Sequence, residues 1–275
     1  LNKFIMNKLI FILILFLIFI IIFLFILSYF YGGILSDLLS KINSSTLYIP
    51  NLEGKNFIIT GGYSGIGLST SIELYKYGAN VIIIGRNIKK GTLAINKIRK
   101  TLGSGTVEFY KVDLSDFKNI RDFATYFVNS KRNLDGLILN AGVMGIPFKL
   151  KYNIEYHFLV NHLSHFYLTK LLINTLSTNS RIVIVSSDAH YQCVLPKYFI
   201  KNVVGTIIKK NYNSIKYYEI SKFANVLFSL ELSNILQKKN VYVNSTTPGI
   251  VNTNLFRYFN KNIQNYIGKF GLYIL

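Results

Sequence analysis

The chain has 275 residues, and 31 Lys and Arg against 12 Asp and Glu give it a formal net charge of +19. The lysines are scattered and form no basic–aromatic module or recognition helix, so the charge reflects a Lys- and Asn-rich composition rather than a nucleic-acid partner. A single cysteine, Cys193, excludes an internal disulfide and a Cys-based metal site, and the length suits one large domain with an ample core.

The first feature in chain order is Leu9–Leu27, an unbroken apolar run flanked by Phe4, Ile5, Tyr29 and Phe30. At ~1.5 Å per residue it spans close to the ~30 Å hydrocarbon core of a bilayer. It is longer than a signal-peptide core, and no small-x-small cleavage site follows it. Residues 1–31 are therefore predicted to be a retained transmembrane anchor, contacting the bilayer over residues 4–31. Lys3 and Lys8 precede the run and the next basic residue is Lys41, a pattern that sends the following domain to the lumen. Residues 32–50 form a mixed, Ser-containing linker closed by Pro50, with a glycosylation sequon at Asn43.

From Lys55 the texture becomes short apolar runs alternating with amphipathic stretches. Asn56–Thr60, Asn80–Gly85, Thr106–Val112, Leu134–Leu139, Arg181–Ser186 and Val241–Thr246 are predicted strands. Helices are expected near 65–78, 87–102, 116–129, 152–176 and 217–237. This alternation predicts an α/β fold with a doubly wound parallel sheet, whose ligand sites gather at the carboxyl ends of the strands.

Two stretches carry chemistry. Thr60-Gly61-Gly62-Tyr63-Ser64-Gly65-Ile66-Gly67 joins the first strand to the first helix, and its glycines allow a tight turn whose helix N-terminus suits a pyrophosphate. Tyr218-Glu219-Ile220-Ser221-Lys222 lies in a run where Phe223, Val226, Leu227 and Leu230 recur at helical spacing. Tyr218 and Lys222 therefore share a helix face, and a cation beside the phenol is expected to lower its pKa toward that of a useful proton donor. Two other groupings are weaker. Ser187, Asp188 and His190 have hydrolase residue types but crowd one strand end, and His162 and His165 lack the carboxylate of a metal site.

Together with Val112-Asp113-Leu114, Asn140-Ala141-Gly142-Val143-Met144, Val160-Asn161-His162-Leu163-Ser164-His165-Phe166, Ser186-Ser187 and Pro248-Gly249-Ile250-Val251-Asn252-Thr253, these stretches make residues 54–256 resemble the short-chain dehydrogenases/reductases. Within that family the chain is most similar to microsomal retinol dehydrogenases and WW-domain oxidoreductases. The resemblance implies a Rossmann-type sheet of order 3-2-1-4-5-6. It also implies a catalytic set of Tyr218 as acid/base, Lys222 on that phenol and the nicotinamide ribose, Ser187 on the substrate carbonyl and Asn161 on a relay water. Gly61, Tyr63, Ser64, Gly65, Ile66 and Gly67 would line the phosphate turn, and Asp113 with Leu114 the adenine. Asn140, Ala141 and Gly142 would line the cleft, and Pro248, Gly249 and Thr253 the nicotinamide. Arg86 ends the second strand where an acidic residue would bind a ribose hydroxyl, so NADP(H) is expected over NAD(H).

Leu139 replaces a usual Asn, and Ser164 a usual Gly whose exchange is expected to crowd the helix by about 1 kcal/mol. After Thr253 the family continues with a substrate-binding segment, a helix and a seventh strand, so residues 51–275 are read as a C-terminally truncated domain with its sixth strand at an edge. The sequence thus predicts an endoplasmic-reticulum-anchored NADP(H)-dependent enzyme interconverting a lipophilic alcohol, retinol- or steroid-like, with its aldehyde or ketone. The alternatives are a non-catalytic NADP-binding scaffold and an enzyme acting on a soluble polyol. The family further implies homo-oligomers and a cytosolic domain, against the lumenal orientation that Lys3 and Lys8 suggest.

Overall fold

Parallel strands covered on both faces need continuous apolar runs, and Ile58–Ile59 and Val81–Ile84 are runs of that kind, each residue almost fully buried. In the computed structural model they form the centre of one sheet. The structure describes residues 50–193, 209–249, 251, 253–261 and 264, together with Leu17, Phe19 and Ile20. The chain divides into two compact units, Leu1–Ile49 and Pro50–Leu275. The predicted anchor, apart from those three positions, the linker before Pro50, and Asn43 lie outside the described residues, and no described helix is long and apolar enough to cross a membrane.

In the second unit, β1 (Asn56–Thr60), α1 (Gly65–Lys76), β2 (Asn80–Gly85), α2 (Ile88–Arg99), β3 (Thr106–Lys111), α3 (Phe117–Asn129) and β4 (Leu134–Leu139) alternate as predicted. A hairpin of β5 (Leu150–Lys151) and β6 (Ile154–Glu155) follows. The chain then runs through α4 (Tyr156–Phe158), a π turn over Leu159–Leu163 and α5 (Ser164–Leu172) to β7 (Leu176–Val185), α6 (Ser214–Leu236) and β8 (Tyr242–Thr246). The main sheet has the order β3-β2-β1-β4-β7-β8 with every pairing parallel, which is the expected 3-2-1-4-5-6 arrangement once the hairpin strands are set aside. One face of the sheet packs Ile58, Ile82, Leu137 and Ile182 against Phe127 and Leu168, and the other packs Ile59, Val81 and Ile83 against Tyr75 and Ile98. Asn87, Asp116 and Asn213 each accept backbone N–H bonds at the N-terminus of the helix that follows, which explains why those helices start where they do.

Three predicted elements differ. The helix expected over 152–176 is interrupted because Tyr152 and Asn153 take φ of 57° and 55°, the twist of a two-residue hairpin turn, and the π turn breaks the helical run again. β7 begins at Leu176 rather than Arg181. Its register against β4 jumps from Leu134↔Leu176 to Gly136↔Arg181, with Asn179 at φ 65°, so polar residues 177–179 sit in an irregularity that hid the strand. In α6, Leu227 and Leu230 are exposed, while the inward face carries Tyr218, Ser221, Lys222, Asn225 and Ser229. At the far end of the sheet β8 has only Val243 buried, as suits an edge among the described strands.

Phe127 has no exposed surface and fills the space between α3 and the sheet. Replacing it by Ala is expected to lower unfolding free energy by about 3–5 kcal/mol in denaturant melts, with the same fold retained.

Candidate active site

The glycine turn is built by close approach. A Cβ on Gly67 would lie 2.6 Å from the Gly61 carbonyl oxygen and 2.5 Å from Asn140 Nδ2, so only glycine lets α1 start this close to the ends of β1 and β4. Gly65 has φ +53°, and its Cβ would lie 2.9 Å from the Thr253 methyl, which brings the C-terminal segment up to the turn. Among the described residues Ser64 makes no side-chain cap, and the first turn of α1 holds no acidic residue. The Gly61 N–H is taken by the Ile84 carbonyl at 2.8 Å, and the uncapped start of α1 fits the pyrophosphate of a dinucleotide.

The ring of Tyr63 packs over Gly85 and edge-on to Phe109 at 6.1 Å, so its predicted part in the turn falls to its backbone. Arg86 is exposed just past β2, close enough to Tyr258 that it helps Arg257 to lower that phenol's pKa. Asp113 accepts from Ser115 N at 2.9 Å, and the Leu114 carbonyl accepts the Ser164 hydroxyl. Asn140 Nδ2 donates to the Thr60 carbonyl at 2.9 Å, and the Asn140 and Ala141 N–H groups donate to Thr60 Oγ1. Gly249 lies at φ +70° beside Pro248; Ile250 and Asn252 fall outside the described residues.

The predicted tetrad converges at the carboxyl ends of β4 and β7. Tyr218 and Lys222 are each 3% exposed, with Lys222 Nζ 5.6 Å from the Tyr218 ring centroid. Lys222 Nζ donates to the Val185 carbonyl at 2.9 Å, and the Tyr218 phenol is hydrogen-bonded to the Ser187 side chain. Asn161 accepts from Val143 N at 2.8 Å through Oδ1 and donates through Nδ2 to the Val143 carbonyl at 3.0 Å and Ser221 Oγ at 2.9 Å. A Cβ on Gly142 would sit 3.6 Å from Asn161 Oδ1 and 3.7 Å from Lys222 Nζ, so Gly142 forms the floor between them.

The electrostatics differ from the expectation for the phenol. Burial raises the Tyr218 pKa above its ordinary 10, and the Ser187 hydrogen bond only partly opposes that. Burial also pulls the Lys222 ammonium down to about 8. The depression of the Tyr218 pKa expected from Lys222 is therefore not found: the amine is turned onto the Val185 carbonyl, and desolvation of the phenolate dominates. At neutral pH the phenol is a protonated donor.

The weaker groupings resolve locally. His190 Nδ1 lies 2.6 Å from the Ser187 backbone carbonyl, away from the serine hydroxyl, so no hydrolase relay forms there. His162 Nδ1 faces Asn225 Oδ1 at 3.1 Å, and His165 is held between Thr60 and Asn161. Sequence reading missed Ser221, which bridges Asn161 to the Tyr218 carbonyl. Its position three residues after Tyr218 on the same helix face was the available signal.

Fold and site together define an α/β protein with a glycine-rich strand-to-helix turn and a Tyr–Lys–Ser–Asn cluster at the carboxyl ends of a parallel sheet. The short chain dehydrogenase profile matches residues 55–196. Human retinol dehydrogenase 11 is 42% identical over 224 residues, covering 80% of this chain and 68% of that protein. Human retinol dehydrogenase 12 is 41% identical over 210 residues, covering 75% of this chain and 65% of that protein. Among solved structures, a dehydrogenase/reductase from Sinorhizobium meliloti superposes with TM-score 0.62 at 20% identity over 80% of this chain and 81% of that one. A short chain dehydrogenase from Burkholderia cenocepacia in complex with NADP gives TM-score 0.61 at 22% identity over 74% and 78%. The chain belongs to the short-chain dehydrogenase family and is an oxidoreductase of the kind that acts on CH–OH groups with a nicotinamide cofactor.

The buried amine sets a pH signature. The unfolded chain keeps the Lys222 proton up to about pH 10.5, whereas the native state releases it near 8. Between those values the unfolded state binds more protons, so native stability rises with pH. Relative to Lys222→Met, the wild-type protein is expected to gain up to about 3 kcal/mol across that window in denaturant melts at fixed ionic strength.

Proposed function

We propose that this protein interconverts a lipophilic alcohol and its aldehyde or ketone, retinol- or steroid-like, using NADP(H), and that residues 4–31 anchor it in the endoplasmic-reticulum membrane where such substrates partition. The reading rests above all on the phenol of Tyr218, which is buried, protonated and hydrogen-bonded to Ser187 beside the Lys222 amine. The names of the retinol dehydrogenase relatives support the substrate class. A bound nicotinamide supplies or accepts the hydride. In the reductive direction Tyr218 passes its proton to the substrate oxygen, Ser187 holds that oxygen in place, and Lys222 offers its remaining N–H groups to the cofactor ribose. Asn161 fixes the Gly142–Val143 floor and the helix turn between Tyr218 and Lys222. In the oxidative direction the phenolate takes the proton back.

Arg86 supports NADP(H) over NAD(H), because a guanidinium at this strand end pairs with a 2′-phosphate and the neighbouring residue is Asn87 rather than an acid. The NADP bound to the Burkholderia relative of the same fold is consistent with that preference.

Full-length protein assayed against a panel of retinoid, steroid and short-chain carbonyls is expected to oxidise NADPH. Tyr218→Phe should reduce turnover at least about a hundredfold while leaving NADPH binding intact. If NADPH binds and no carbonyl is reduced, the protein is a nucleotide-binding scaffold. Arg86→Asp should lower the NADPH-to-NADH ratio of kcat/KM by about tenfold or more, the equivalent of one charge-assisted hydrogen bond.

A further inference from the structure

We propose that His165 is a positioning residue for the proton-handling site, fixed as the neutral Nδ1–H tautomer so that it braces the backbone carbonyl of Asn161 against Thr60 at the end of β1. The proposal rests on the oxidoreductase reading above.

The direction of the hydrogen bonds follows from counting. Thr60 Oγ1 accepts the N–H groups of Asn140 and Ala141, both at 2.9 Å, which fills its two lone pairs. Its single proton must therefore be donated. His165 Nε2 is 2.9 Å away, whereas the Ile138 carbonyl is 3.5 Å away. Nε2 is thus the acceptor, and the ring proton sits on Nδ1, 3.0 Å from the Asn161 carbonyl, to which it donates. The opposite tautomer would bring a third N–H to a Thr60 oxygen whose lone pairs are taken, leave its proton only the Ile138 carbonyl at 3.5 Å, and set a nitrogen lone pair against the carbonyl oxygen at Asn161.

Thr60 and Asn161 are fully buried and His165 is 1% exposed, so water does not stand in for these partners at their solvent-accessible surface. Burial first, and the charge of Lys222 next, hold the imidazole pKa down to about 3, which keeps the ring neutral at physiological pH. Asn161 lies in the π turn, where backbone bonds run five residues apart instead of four, as from Ser164 N–H to the Leu159 carbonyl. Its side chain clamps Val143 on one side and Ser221 on the other, and that clamp is only as well placed as the backbone carrying it. The imidazole, four residues on along the helix, adds a side-chain hold on the Asn161 carbonyl and connects it through Thr60 to Asn140 and Ala141 at the end of β4.

The test pairs a spectroscopic readout with kinetics. In uniformly 15N-labelled full-length protein at pH 7, long-range 1H–15N correlations are expected to show His165 neutral and protonated on Nδ1. His165→Phe keeps a planar ring but no hydrogen bonds, and is expected to lower kcat about tenfold or more with little change in the carbonyl KM, the equivalent of one hydrogen bond lost at the transition state. His165→Asn retains an N–H at the δ position and should recover most of that loss. An Nε2–H tautomer or a charged ring overturns the proposal. So does a kcat for His165→Phe within about twofold of wild type, less than a single hydrogen bond is worth, or a His165→Asn variant no better than His165→Phe. Should no carbonyl compound be turned over, the oxidoreductase reading fails by itself, and the tautomer alone decides the role of His165.

Discussion

A lysine amine buried to 3% exposure is the constraint around which the site is arranged. Removing an ammonium from water costs several kcal/mol, and a single carbonyl does not offset that. Among the described residues Lys222 Nζ donates to the Val185 carbonyl, while Ser186 Oγ grips the Lys222 backbone carbonyl at 2.9 Å and Asn225 Nδ2 reaches the same Val185 oxygen at 3.4 Å. The amine is held by the end of β7 and still keeps donor capacity toward the cleft. That arrangement requires α6 to turn Ser221, Lys222, Asn225 and Ser229 inward alongside Ile220, Leu232 and Leu236, and it leaves Leu227 and Leu230 in solvent, so the polar and apolar faces are mixed.

The same burial determines what the phenol can do. A phenolate buried this deeply is disfavoured, so Tyr218 rests in its acid form with Ser187 as its hydrogen-bond partner. A phenol in that state is suited to giving up a proton rather than to taking one. The two halves of the site are tied by side chains rather than by sequence proximity. Thr60 joins the end of β1 to Asn140, and Asn161 joins the β4 loop to α6. A shift at either tie moves the proton donor relative to the nucleotide turn.

Much of this was legible in the sequence because parallel, doubly covered strands are written as Ile and Val runs and glycine turns as glycines. The doubly wound parallel sheet and the turn at residues 60–67 followed from those signals, the Tyr218–Lys222 pairing from helical spacing, and the order of the strands from the family resemblance. What was hidden depended on tertiary contacts. Positive φ at Tyr152 is invisible in a residue that usually avoids it, and Asn153, which tolerates it, did not mark the turn by itself, so a hairpin was read as helix. At Ser164, expected to crowd the helix, the hydroxyl is fully buried and its one proton lies between the Leu114 and Leu159 carbonyls, a pairing no sequence pattern shows. Side-chain spacing gave the phenol a cation on its own face but could not show how deeply both are buried, and it is the depth that sets the sign of the pKa shift.

The most direct measurement of that sign is an ultraviolet difference titration of nucleotide-free protein, taken as wild type minus Tyr218→Phe so that one phenol is observed. With burial dominant, Tyr218 ionises with a midpoint above its ordinary value of 10. A midpoint below 10 would mean that the Lys222 field outweighs desolvation, and would contradict the neutral, buried proton donor on which this site is built.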